Sequence, residues 1–234
     1  MFARKLVVSL ALLVAGATTM ALAQNQVAGS GTTVRGEHAW MTIVTHPAKS
    51  SSAATPTPDS KAPELVTISG HLADGYPNGL YWCCGGYNVM GPNSGVGVQW
   101  MAAAFTPSAN HTVTQIDVGA GFSQGTTNGI VLSLNLDNKG KPGKALKTWS
   151  ISGLPRFGAC CGLTTGTDSG IAVTGGKQYW IVLKTDNSEL DTVDGWNFDD
   201  TDQVNMATIA SFTGKKWTVF QSTQGVAYAV RGSN

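Results

Sequence analysis

Apolar and polar positions alternate from residue 132 onward: Leu132, Leu134 and Leu136 are separated by Ser133 and Asn135. A period of two places the three leucines on one face of a strand. Asn138, Lys139, Gly140, Lys141, Pro142 and Gly143 then supply turn chemistry, with two glycines free to take positive φ and a proline that fixes its own. The chain returns through Leu146 and Ile151 with Trp149 between them, so the pattern over 132–153 predicts a β-hairpin.

Segments of the same kind recur at short spacing, over 65–72, 97–106, 112–120, 129–136, 145–151, 170–174, 178–185, 203–212, 216–220 and 226–231. Gly, Pro, Asn and Asp separate most of them, and no stretch sustains a 3.6-residue period with helix caps. About ten strands without intervening helices predict antiparallel pairing, because parallel neighbours need a crossover of about a dozen residues. The predicted fold is all-β: an antiparallel two-sheet β-sandwich, jelly-roll-like, of about ten strands. Only 12% of residues are charged and glycine is abundant, at 29, which suits an exported all-β domain. A net charge of +1 gives no basic patch for nucleic acid.

The N-terminus has a secretory design. Arg4 and Lys5 precede an apolar run over 6–17, and Ala21-Leu22-Ala23 precedes Gln24, the small-x-small pattern that a signal peptidase reads. The run is shorter than the roughly 20 residues of a spanning helix, so cleavage after Ala23 and export to the periplasm or beyond are expected, with no integral membrane segment in the mature chain. Residues 24–63, centred on a Ser/Thr/Pro tract, are predicted to be a flexible, disordered arm, since such a composition buries too little to offset its ordering entropy. The apolar island Ala39-Trp40-Met41-Thr42-Ile43-Val44 within it is predicted to dock on the domain as a short strand. The sandwich domain is expected over 64–234.

Phe105-Thr106-Pro107, then Val113-Thr114-Gln115-Ile116, the Leu134 to Gly143 hairpin, Gly176-Lys177-Gln178-Tyr179-Trp180-Ile181-Val182-Leu183 and Gly195-Trp196-Asn197 occur in that order. The series resembles the secreted bacterial β-sandwich domains grouped under the choice-of-anchor name, in particular the R type, over 76–231. The resemblance implies an exported or surface-displayed domain with no established activity or catalytic residues.

The four cysteines form two adjacent pairs, Cys83-Cys84 in Trp-Cys-Cys-Gly-Gly and Cys160-Cys161 in Ala-Cys-Cys-Gly-Leu. An even count in an exported chain points to disulfides. Adjacent residues of a regular strand face opposite ways, so two bridges between the pairs require both to sit in irregular backbone. Cross-links between the two segments are the first expectation. Two vicinal disulfides and a four-thiolate metal site are the alternatives, the last disfavoured because metal ligands of a pair are usually separated by two or more residues.

Tyr76, Tyr81, Trp82 and Tyr87 crowd around the first pair together with Asn88. Rigid aromatic faces beside amide groups suit a sugar ring or a peptide, and loops at one end of a sandwich commonly carry binding. The competing reading is that these rings cover the disulfides and close the end of the sandwich. Trp100, Trp149 and Trp180 lie in predicted strands and are expected to pack. Asp191, Asp194, Asp199, Asp200 and Asp202 gather hard oxygens within one short segment, a candidate structural calcium site. The bland alternative is a solvated acidic loop.

Enzyme signatures are sparse. Thr167-Asp168-Ser169-Gly170 is similar to the nucleophile segment of trypsin-like proteases, but Ile171-Ala172 breaks the pattern and no histidine stands in a matching context. A glycosidase needs two converging carboxylates, and the only glutamates are Glu37, Glu64 and Glu189. The sequence thus predicts an exported non-catalytic module that binds a glycan or a peptide through aromatic loops at one end. A structural or matrix protein is the alternative, and a carbohydrate-active hydrolase stands behind both.

Overall fold

A computed structural model describes residues 31–44, 65–70, 72, 81–159, 162–185, 190–199 and 207–234, with the backbone alone at 31, 83 and 84. Fifteen strands build three antiparallel sheets. The five-stranded sheet runs β1 (Gly31–Arg35), β2 (Trp40–Val44), β4 (Trp82–Met90), β12 (Val193–Phe198) and β7 (Ala120–Gln124). The four-stranded sheet runs β10 (Thr164–Val173), β6 (His111–Val118), β15 (Tyr228–Ser233) and β3 (Val66–Gly70). The six-stranded sheet runs β14 (Trp217–Thr223), β13 (Ala207–Phe212), β5 (Trp100–Phe105), β11 (Tyr179–Lys184), β8 (Gly129–Asp137) and β9 (Pro142–Ser152). Among the described residues no helix is long and apolar enough to cross a membrane.

The leading hairpin forms as its sequence demands. Leu132 and Leu134 are fully buried and join Met101, Ala103, Ile181, Leu183 and Ile209 in the core, while Leu136, on the same face, runs past the edge of the packing and is exposed. In the turn, Gly140 takes a positive φ (76°), but the second left-handed residue is Lys139 (54°), not Gly143. Asp137 explains the tight turn: its Oδ2 accepts the Gly140 amide at 2.9 Å, and its Oδ1 accepts the Trp180 indole N–H at 2.8 Å. Trp180 is fully buried on the other face of that sheet with Ala102, Val182 and Ala210. Farther along that face, Trp100 and Phe212 stack at 4.5 Å, and the Lys184 ammonium lies 5.5 Å from the Trp100 ring centre.

All three sheets send side chains into one apolar cluster, including Val89 and Trp196, Ile116 and Val230, and Leu132 and Ile181. The five- and four-stranded sheets are joined through Gly119, the residue between β6 and β7. Its N–H donates to Ala227 O at 2.9 Å, and its carbonyl accepts both the backbone N–H and the side-chain amide of Asn197. A Cβ at Gly119 would meet the Tyr81 ring and the Ala227 methyl at 2.9 Å, so glycine is what lets these layers close. The all-β antiparallel expectation holds. Among the described residues the architecture is nevertheless three sheets and fifteen strands in place of two sheets and about ten, because β1, β4, β7 and β12, with β2 from the docked island, add to the ten.

The island Ala39 to Val44 docks as predicted: β2 pairs with β4, Met41 opposite Tyr87 and Ile43 opposite Gly85. Buried Gln99 fastens it, accepting the Trp40 N–H at 2.9 Å and donating to Trp40 O at 3.0 Å and Asn88 O at 2.7 Å. Residues 31–44 therefore form a paired hairpin inside the span read as a flexible arm. The remainder of 24–63 lies outside the described residues.

Candidate functional site

Trp82 opens β4 and is the one member of the predicted aromatic patch that is both described and exposed, at 40%. One face of its indole lies on Phe198, with centroids 5.7 Å apart and planes 16° from parallel. Gly85 permits the approach, since a Cβ there would stand 2.8 Å from the indole. Phe198 is itself buried and meets Tyr87 edge-on at 4.9 Å.

The other predicted contacts are placed differently. Tyr81 is buried and its hydroxyl donates to Gly162 O at 2.8 Å. Tyr87 is buried and its hydroxyl donates to Gln224 O at 3.3 Å. Burial pushes the Tyr87 phenol pKa up, with the nearby Asp199 carboxylate adding to the shift and a hydrogen bond to Thr223 opposing it. Asn88 is fully buried and accepts the Thr42 hydroxyl at 2.8 Å. Tyr76 lies outside the described residues. Tyr87 and Asn88 thus serve the interior, because β4 is an internal strand covered on both faces from Gly85 onward, and Tyr81, just before it, is buried as well.

The Cys-Cys-Gly segment of β4 is irregular backbone. Gly86 pairs with Asn197 and Trp82 with Phe198, so 83–85 bulge out of the ladder to β12. Cys160 and Cys161 lie outside the described residues, but their flanks do not: Gly162 accepts the Tyr81 hydroxyl, and the methyls of Val44, which follows Ile43 at Gly85, stand against Gly158. The chain before the first pair thereby meets the chain after the second, and β2, which pairs with Gly85, lies against the chain before the second.

The middle of the acidic segment, Val193–Phe198, is a strand, and this separates the carboxylates of Asp191, Asp194 and Asp199. Asp191 precedes β12 and is half-buried, accepting the Thr126 N–H at 3.1 Å and its hydroxyl at 2.9 Å, and these bonds hold its carboxyl below the usual range. Asp194 is fully buried within β12. Asp199 follows the strand and accepts the Gln224 side-chain amide at 2.9 Å. An extended strand rises about 3.3 Å per residue, so Asp191 and Asp199 stand at opposite ends of roughly 25 Å of chain and cannot share one ion. Among the described residues no group of three potential ligands converges on a metal. Asp200 and Asp202 lie outside those residues.

Asp168, in the protease-like segment, is a strap between sheets. It accepts from the Lys147 ammonium at 2.7 Å, and that bond, followed by the Gly170 N–H, lowers its carboxyl pKa. Beside it the Trp149 indole donates to Thr167 O at 2.7 Å. This arrangement closes one side of the sandwich with β9 on β10.

Two features escaped the sequence reading. Phe198 gave no signal as the support of Trp82, because the contact depends on the bulge. The second is a cavity of about 190 Å³ where β5 and β13 part, bounded by Phe105, Thr208, Ile209, Val226 and Tyr228 among others. It lies at the same end as Trp82: β4 starts there, β5 and β12 end there, and Phe198 bridges to Val226. No family model, no curated protein and no solved structure matches the chain.

Proposed function

We propose that this chain is an exported, non-catalytic recognition module that takes a glycan or a peptide at the end of the sandwich where β4 begins. The observation that carries the reading is Trp82: an exposed indole, held by stacking on a buried ring, presents a rigid flat face at little entropic cost. The predicted patch of several rings contracts to this one residue within the described part of the chain. Export, the signal peptide and membership of the choice-of-anchor group belong to the same proposal and rest on the sequence features given above. So do the disulfides between the cysteine pairs, supported by the convergence of Tyr81 on Gly162.

The burial of Tyr81 and Tyr87 favours a second reading, a structural module in which these rings only close the end of the sandwich. Glycan and peptide arrays probed with the oxidised wild-type protein and with Trp82→Ala separate the two. Binding that is lost in a folded Trp82→Ala protein supports recognition. Binding by neither supports the structural module, and equal binding by both places recognition away from Trp82.

A further inference from the structure

The whole-chain charge of +1 is unevenly spread. Lys139, Lys141, Lys144 and Lys147 follow one another closely, and no acidic residue occurs between Asp137 and Asp168. Lys147 is paired with Asp168 at 2.7 Å, but Lys139, Lys141 and Lys144 are exposed and, among the described residues, meet no carboxylate.

Lys177 joins them from the neighbouring turn. Gln178, next to it, donates to Asp137 Oδ1 at 3.0 Å and so fastens the turn before β11 to the tip of the β8–β9 hairpin. Lys177 is exposed and likewise has no acidic partner among the described residues. The tip is held by the Asn138 N–H, which donates to Lys141 O at 2.8 Å, and by the Asn135 side-chain amide, which donates to Gly143 O at 2.7 Å. Lys139 takes a left-handed φ of 54° there, where glycine would be less strained, so the turn by itself does not call for a lysine. Four ammonium groups thus surround the single carboxylate of Asp137. Asp199 does not offset them: it lies by Gln224 beyond β14, and β14 and β9 are opposite edges of the sheet, roughly 24 Å apart, against a screening length of about 10 Å.

The surroundings choose among polyanions. Leu136 and Leu146 are exposed but stand behind the tip, so a bilayer would have to take up Lys139 and Lys141 before it met an apolar side chain. Residues 137–144 and 174–178 contain no arginine and no aromatic ring, the groups that fork onto phosphates and stack on bases. An acidic peptide would order a flexible chain for ion pairs that are individually weak at exposed sites. A polysaccharide with carboxylates or sulfates on its rings carries them on a stiff chain at a fixed repeat, so several weak pairs form together.

We infer that the tip of the β8–β9 hairpin, with Lys177, is a binding surface for an acidic polysaccharide. The surface makes no use of Trp82 and is tested apart from it.

The test is binding of the whole oxidised protein to polygalacturonate and to dextran sulfate at low salt, with neutral dextran, duplex DNA, poly-glutamate and phosphatidylglycerol vesicles for comparison. Saturable binding to at least one of the two acidic polysaccharides, tighter than to any comparison and abolished by molar salt, is the expected result. Lys139→Gln, Lys141→Gln and Lys144→Gln combined should weaken it at least tenfold, and Lys177→Gln alone by a smaller factor. Lys215→Gln with Lys216→Gln, an exposed pair on another turn, and Trp82→Ala should leave it intact. No binding to either polysaccharide, full binding by the folded triple variant, equal loss with Lys215 and Lys216, or tighter binding to DNA, poly-glutamate or vesicles would overturn the inference. Loss in Trp82→Ala with the lysine variants unaffected would overturn it too, by assigning the binding to the stacking site.

Discussion

Phe157 lies with its ring on the backbone of Gly195, in the space that a Cβ at that position would occupy. Gly121, on the next strand, is likewise covered by the Phe157 backbone at 2.9 Å from where its Cβ would stand. The segment before the second cysteine pair is therefore seated on the five-stranded sheet through glycines, and Phe157 N–H donates to Phe122 O at 2.8 Å to hold it there.

Gly195→Ala should destabilise the protein by about 3 kcal/mol or more, since the ring has to move out of a packed site. Phe157→Leu in the same chain should recover part of that loss, where Phe157→Leu alone destabilises. Urea denaturation of the two single variants and the double variant measures the coupling, and strict additivity would show that the contact does not matter.

Much of the fold was legible because it obeys the period of two. Leu132 and Leu134, and Ile181 and Leu183, announce their strands and face the core as the alternation says. β4 and β12 were hidden for the reason that Phe157 and Gly195 illustrate. Both strands are buried on two sides, yet they carry Gly85, Gly86 and Gly195 for close approach and the polar Asn88, Asp194 and Asn197 in the interior. Nothing in that composition resembles alternation. The same cause hid parts of the candidate site: the middle of the acidic segment, Val193–Phe198, is a central strand, and Tyr81 and Tyr87 are interior rings whose hydroxyls reach Gly162 and Gln224.

Trp82→Ala should cost about 1 kcal/mol, the scale of one aromatic pair at a half-open site, whereas Trp196→Ala should cost about 3–5 kcal/mol. Trp196 is fully buried and its indole donates to Ala227 O at 2.9 Å. Chemical denaturation of both variants reads the difference. Equal losses would mean that Trp82 is a core residue.

The oxidised protein should contain no free thiol, and reduction should lower its stability by about 2–5 kcal/mol, because each bridge would close a long loop of the unfolded chain. Non-reducing peptide mapping should join the peptide of Cys83 and Cys84 to that of Cys160 and Cys161. Four alkylatable thiols in exported protein, or two bridges each confined to one peptide, would contradict cross-linking.

Tyr228 is buried, and burial, aided by the negative charge of Asp199, pushes its phenol pKa up to about 12. A group whose pKa is higher in the folded than in the unfolded state contributes stability that is whole below the unfolded value and is lost as pH rises toward the folded one. Stability should therefore hold up to about pH 10 and fall by roughly 3 kcal/mol by about pH 12, at about 1.4 kcal/mol per unit. Tyr228→Phe should flatten that decline. An alkaline decline that is unaltered in Tyr228→Phe would place its origin elsewhere.

The most direct measurement of the central claim is NMR mapping of an array-selected ligand on the whole oxidised protein. Shifts concentrated at the Trp82 indole, Phe198 and Val226, with Thr126 and Asp191 at the opposite end silent, are the predicted result. Shifts confined to the opposite end or to the outer row of Trp100, Phe212 and Trp217, or arrays that yield no ligand at all, would contradict recognition at the Trp82 end.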